Sequence, residues 1–198
     1  MKRLRLGVLA SGGGSNLQSI IDRSLDGSLQ ADVVVVISNN SGAGALKRAV
    51  NHGIEALHIS GVTEGSAEAA DWKITEEMKS RKVDLVVLAG YMKKIGDILL
   101  GAYQGRMVNI HPALLPKFGG DGMYGMNVHK AVVAAGEKES GPTVHIVDSQ
   151  YDHGCILAQI NIPVQPDDTP ETLQKKVLEK EHIIYPETIK KLAEEWQE

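Results

Sequence analysis

The chain has 198 residues, 42% hydrophobic and 23% charged, which suits one domain with a buried core and is tight for two. Its 21 basic and 25 acidic residues leave a net charge of −4, so there is no electropositive field for a nucleic-acid backbone, and no apolar run approaches the ~18–20 residues of a membrane span. Cys155 is the only cysteine, which excludes an intrachain disulfide and a cysteine-based metal cluster and makes a reducing cytoplasm the expected compartment.

The Met-Lys-Arg start is basic, but the apolar stretch Leu6–Ala10 is too short for a secretory signal and reads as part of a first strand. Short β-branched runs follow in order at Leu4–Ala10, Asp32–Ser38, Ala56–Ile59, Leu85–Leu88 and Met107–Ile110. Stretches with helical spacing lie between them, at Asn16–Leu25, Ala43–Asn51, Ser66–Ser80 and Ile95–Tyr103. Val33–Ile37 and Val83–Leu88 are nearly continuous apolar runs, the pattern of strands covered on both faces. Such alternation predicts a parallel sheet wound by right-handed crossovers, with ligands at the carboxyl ends of its strands. His111–Gly125 is too rich in proline and glycine for helix or strand, and Val128–Ala135 reads as helix. Thr143–Val147 and Ile156–Val164 read as an antiparallel pair at the sheet edge. Asp168-Thr-Pro-Glu171 opens a long last helix, with a capping candidate, a first-turn proline and an acid at the positive dipole end. The expected fold is therefore α/β, a single domain over 1–198 with a mostly parallel doubly wound sheet, an antiparallel edge pair and a long C-terminal helix.

Three glycines in Ser11-Gly-Gly-Gly-Ser-Asn-Leu17 follow the first strand and open the first helix. They permit a tight turn and close approach of a ligand, and the free N–H groups of a helix start favour an anion. Leu17 stands where the dinucleotide fingerprint needs a glycine, and the Gly-Lys-Ser/Thr of a P-loop is missing, so the site suits a single phosphate. The alternative is a plain strand-to-helix turn capped by Ser15 or Asn16.

Asn109 and His111 are two apart at the end of a strand, so they project to one side, and Pro112 keeps His111 extended. An amide donor beside an imidazole suits acyl transfer, where a developing oxyanion and a proton must both be handled. Asp148 and Asp152, in the turn between the late strands, are both candidates to orient His111. None of the seven histidines falls in a metal motif, so no metal is expected. His52, His58, His129 and His182 read as ordinary helix or strand residues, and His145 as a buried histidine supporting the site.

Six segments then occur in order: Ala10–Leu17, Leu88–Met92, Val108–Lys117, Thr143–Val147, Asp152–Gly154 and Glu181–Pro186. Together they resemble the phosphoribosylglycinamide formyltransferases, folate-dependent enzymes of purine biosynthesis, over nearly the whole chain. The resemblance implies transfer of the formyl group of 10-formyltetrahydrofolate to the amine of glycinamide ribonucleotide. It implies a catalytic trio of Asn109, His111 and Asp152, the acid lying seven residues after His145. Gly13, Gly14, Ser15, Asn16, Gly90, Pro112 and Glu181 match ribotide-binding positions. Met92, Lys93, Lys94, Ile95, Val147, Asp148 and Tyr151 match walls of the folate pocket. Residues 1–110 then form a phosphate- and ribotide-binding half, and 111–198 a catalytic and folate-binding half, in a monomer or weak homodimer.

Four places depart from the family pattern: the Phe118–Gly125 loop, Leu178 where a polar contact is common, Lys93 where arginine is usual, and Gly61–Ser66. A methionyl-tRNA formyltransferase is disfavoured because its RNA-binding domain and a basic surplus are missing. A formyltetrahydrofolate deformylase is disfavoured because the glycine loop already begins at residue 11. A non-catalytic phosphometabolite-binding module would keep the glycine loop without needing Asn109, His111 and Asp152 together.

Overall fold

In the computed structural model, residues 3–196 are described; Met1 and Lys2 of the basic start lie outside them. Five parallel strands build the sheet: β1 (Leu4–Leu9), β2 (Ala31–Ser38), β3 (Glu55–His58), β4 (Leu85–Leu88) and β5 (Met107–His111). Two antiparallel strands, β7 (Thr143–Ile146) and β8 (Ile156–Gln159), extend it beyond β5. The order β3-β2-β1-β4-β5-β7-β8 puts the reversal between β1 and β4. There the crossovers run in opposite directions and leave a crevice at the strand ends.

The apolar runs explain the layering. Along β2, Val33 and Val36 belong to one core, while Val35 and Ile37 belong to the other. β4 divides likewise, with Leu85 and Val87 on one side and Val86 and Leu88 on the other. The first core lies under α1 (Ser15–Leu25), α2 (Gly44–Asn51) and α6 (Pro170–Glu195). The second lies under α3 (Ala67–Ser80) and α4 (Asp97–Ala102). A smaller third cluster joins α5 (Met126–Ala134) to the start of α6 through Val128, Val132, Leu173 and Val177.

Two expectations need correction. Ile156–Val164 is not one strand: it breaks at Ile160, and β9 (Ile162–Pro163) leaves the sheet to pair with β6 (Glu139–Ser140), an element absent from the sequence reading. At the break the chain passes close to Gly141, where a Cβ would stand 1.8 Å from the Ile160 carbonyl oxygen. The helix expected from Ile95 begins at Asp97, because the buried Asp71 carboxylate accepts from Ile98 N at 2.9 Å and Leu99 N at 3.3 Å and fixes the first turn there. The last helix starts as expected. Thr169 and Thr172 form a reciprocal capping box, with Pro170 at the first helical position. Among the described residues, no helix is long and apolar enough to cross a membrane.

Candidate active site

The crevice at the strand ends is a cleft of about 320 Å³. Asn109, His111, His145 and Asp152 all line it. Asn109 and His111 come from the end of β5, and His145 faces Asn109 across the β5–β7 register. Asp152 comes from the turn between β7 and β8, where it adopts a φ of 55°, a left-handed conformation uncommon outside glycine. That strained turn brings its carboxylate inward. Asp152 Oδ2 lies 3.4 Å from His111 Nδ1, and its Oδ1 lies 3.5 Å from His145 Nε2. Of the two acids open in the sequence, Asp152 meets the histidines; Asp148 lines the cleft and accepts from Gln150 N at 2.8 Å.

The hydrogen bonds fix which ring nitrogens carry protons in the neutral rings. His145 Nδ1 donates to the Ile146 carbonyl at 2.9 Å, so its Nε2 accepts from Asn109 Nδ2 at 3.2 Å. His145 thus holds the Asn109 amide in one orientation, with a second Nδ2 hydrogen left over. His111 Nε2 donates to the Phe118 carbonyl at 2.8 Å, which leaves its Nδ1 lone pair toward Asp152. Burial pushes His111 below the ordinary histidine value, against the opposing pull of Asp152, so the ring rests neutral near pH 7. Burial also opposes ionisation of Asp152, but His145 and His111, once protonated, and the Gly120 N–H together hold its carboxyl below the usual range.

In the same cleft, Asn16 Nδ2 donates to Glu181 Oε2 at 2.6 Å, and both side chains are buried. Burial raises Glu181, while the Asn16 amide works in the opposite sense. Neither Ser15 nor Asn16 caps α1, contrary to the turn reading: the N-cap is Gly14, left-handed at φ 75°, with no side-chain bond. The glycine loop leans on α2 instead. Ala45 N donates to the Gly12 carbonyl at 3.1 Å, and Arg48 Nε donates to the Gly13 carbonyl at 2.8 Å. With those carbonyls engaged and no side-chain cap, the first N–H groups of α1 remain for an anion. Gly13, Gly14 and Ser15 do not themselves line the cleft; the loop reaches it through Asn16.

Gly90, Met92, Lys93, Lys94, Ile95, Pro112, Val147 and Tyr151 line the cleft as well. The sequence reading missed Tyr91, Gln174 and His129 there. Burial pushes the Tyr91 hydroxyl up to about 12, with Asp71 adding to the shift. Gln174, Leu178 and Glu181 share one face of α6, a helical spacing visible in the sequence. His129 carries no such signal. It is buried on α5, its Nδ1 has no partner, and burial followed by the neighbouring His111 lowers its pKa to about 4. Among the described residues, no group of three or more His, Cys, Asp or Glu is arranged to hold a metal ion.

Residues 4–189 match the formyl transferase family. The chloroplastic phosphoribosylglycinamide formyltransferase of Vigna unguiculata is 44% identical over 195 residues, covering 98% of this chain and 62% of that protein. Among solved structures, glycinamide ribonucleotide transformylase 1 from Symbiobacterium toebii superposes with a TM-score of 0.92 at 40% identity, covering 98% of this chain and 89% of that one. A formyltetrahydrofolate deformylase from Pseudomonas syringae also superposes, with a TM-score of 0.86 at 26% identity, covering 98% of this chain and 62% of that one. The family match over residues 4–189, with the sequence and fold likeness over nearly the whole chain, makes this chain a member of the formyl transferase family, beside the phosphoribosylglycinamide formyltransferases.

Proposed function

We propose that this protein transfers the formyl group of 10-formyltetrahydrofolate to the primary amine of glycinamide ribonucleotide, as one formyltransferase domain in the cytoplasm. The observation that carries the reading is that Asn109, His111 and Asp152 share one cleft with the buried Asn16–Glu181 pair. The ribotide phosphate sits on the glycine loop at Gly13, Gly14, Ser15 and Asn16, and Glu181 accepts from ribose hydroxyls. Gly90 and Pro112 flank the ribotide. The folate ring lies between the Met92–Ile95 segment and the Val147–Tyr151 loop, where Met92, Ile95 and Val147 offer apolar surface to a flat heterocycle. All of these residues come from one chain, in keeping with a monomer or weak homodimer.

In the reaction the amine lone pair attacks the formyl carbon, and the carbonyl pair moves onto oxygen. The free Nδ2 hydrogen of Asn109 receives that charge. The Nε2 hydrogen of His111, spent on the Phe118 carbonyl in this conformation, is the second donor once substrate displaces that carbonyl. Negative charge on the oxygen raises the basicity of His111, which takes up the proton that the attacking nitrogen now carries in excess, and Asp152 holds the imidazolium and assists the transfer until that proton passes to the folate nitrogen. The oxygen pair then restores the carbonyl, the bond to the folate nitrogen breaks, and that nitrogen gains the proton that the amine gives up. The test is an assay of purified protein with 10-formyltetrahydrofolate, with and without glycinamide ribonucleotide. Tetrahydrofolate released only with the acceptor is the expected result. Release without it indicates hydrolysis, and no release leaves a binding module.

A further inference from the structure

The Glu181–Pro186 segment contains a residue that no step above uses. Tyr185 is the largest of the fully buried side chains, at 0% exposure. Its hydroxyl donates to the Leu88 carbonyl at 2.8 Å and to the Val108 carbonyl at 3.1 Å. One proton is thus shared between two strands. The position is specific within the sheet: Leu88 ends β4, Val108 precedes Asn109, and Leu88 and Asn109 are the last register pair of the β4–β5 ladder. Beyond that pair the chains diverge, one to Gly90 and the other to His111, and both of those residues line the cleft.

The same helix also lines the cleft, through Glu181. Glu181 lies four residues before Tyr185, on the same face of α6, and meets Asn16 at the start of α1. A single helix therefore touches both the Asn16 side chain at the start of α1 and the strand ends beside Asn109. Total burial, followed by the charge of Glu181, keeps the Tyr185 phenol protonated at all working pH values, so it serves only as a donor.

We infer that Tyr185 is a positioning residue whose hydroxyl clamps the ends of β4 and β5 to α6 and so sets the spacing between the bound ribotide amine and the Asn109 oxyanion donor. The inference rests on the formyl-transfer reading, and the unmodified chain tests that reading separately. Tyr185 touches neither reactant. Its loss should alter alignment of the reacting atoms more than affinity, and a displacement of about 1 Å at such a site costs on the order of a hundredfold in rate.

The experiment compares Tyr185→Phe with Thr188→Val. Thr188 is a second buried hydroxyl on α6, but it donates at 2.7 Å to the Ile184 carbonyl of its own helix and reaches no strand. Both variants are assayed below their unfolding midpoints, with folding checked by circular dichroism. The expected result for Tyr185→Phe is a kcat lowered about tenfold to a hundredfold, with KM for both substrates within about threefold of the parent chain. Thr188→Val should keep the parental kcat. A Tyr185→Phe kcat within about twofold of the parent, or equal kcat losses in both variants, overturns the inference. So does a Tyr185→Phe chain that folds at no temperature, because the hydroxyl is then a requirement for folding. Inactivity of the parent chain would instead remove the formyl-transfer reading.

Discussion

Asn109 has two amide hydrogens, and His145 Nε2 engages one of them at 3.2 Å. That bond orients the other, so the residue arrives at the cleft already aimed. Asn109→Ala should lower kcat about a hundredfold to a thousandfold, the range for loss of one oxyanion donor, with KM little changed. Steady-state kinetics with both substrates decides this, and an undiminished kcat would remove Asn109 from the mechanism. Asp152 acts on His111 by charge. Asp152→Asn should move the His111 pKa further below its already depressed value, because the attraction that partly offsets burial is lost. A histidine NMR titration reads the shift directly, and an upward shift would contradict the assignment. Asn109 and His111 were legible in the sequence because strand alternation fixes their common side. The choice between Asp148 and Asp152 could not be made from residue types and spacing, only from the family resemblance, because it depends on a left-handed φ that only the folded turn displays. His129 was illegible for another reason: its isolation comes from packing around α5, which leaves no mark on the local sequence.

The elements that carry the site are held by close backbone approaches. A Cβ at Gly14 would stand 2.7 Å from Ala45 Cα, and φ there is 75°. Gly14→Ala should therefore cost about 1–3 kcal/mol and spoil the seat of the ribotide phosphate. Thermal unfolding and the ribotide KM should both worsen while folate binding stays; unchanged ribotide KM would count against the phosphate cradle. The sequence showed this element as a strand, a glycine turn and a helix, yet suggested a side-chain cap that the loop does without. The parallel strands were readable because two covered faces demand continuous apolar runs. β6 and the break at Ile160 were not, since a two-residue strand has no periodicity and the break lies where the chain passes distant Gly141 and β9 turns away to pair with β6.

At the scale of the whole molecule, buried histidines tie stability to pH. His129 protonates near 6.5 when unfolded and at about 4 when folded, so the unfolded chain binds more protons between those values. The folded state keeps its full advantage above pH 6.5 and loses it as pH falls toward 4; His111, also depressed, acts in the same sense. Asp152 adds a lower window, because its stabilising contribution is lost only as pH falls below the ordinary carboxylate value through its depressed folded one. Chemical denaturation from pH 7 to 4 should show a steeper loss for the parent than for His129→Leu, by about 3 kcal/mol. Parallel curves would mean that His129 does not carry the effect.

The central claim is that the formyl carbon moves intact onto an amine. The most direct measurement is carbon NMR of the reaction started with 10-formyltetrahydrofolate labelled with carbon-13 in the formyl group, in the presence of glycinamide ribonucleotide. The account predicts that the label appears in a new amide on the ribotide. Label released as free formate would contradict it.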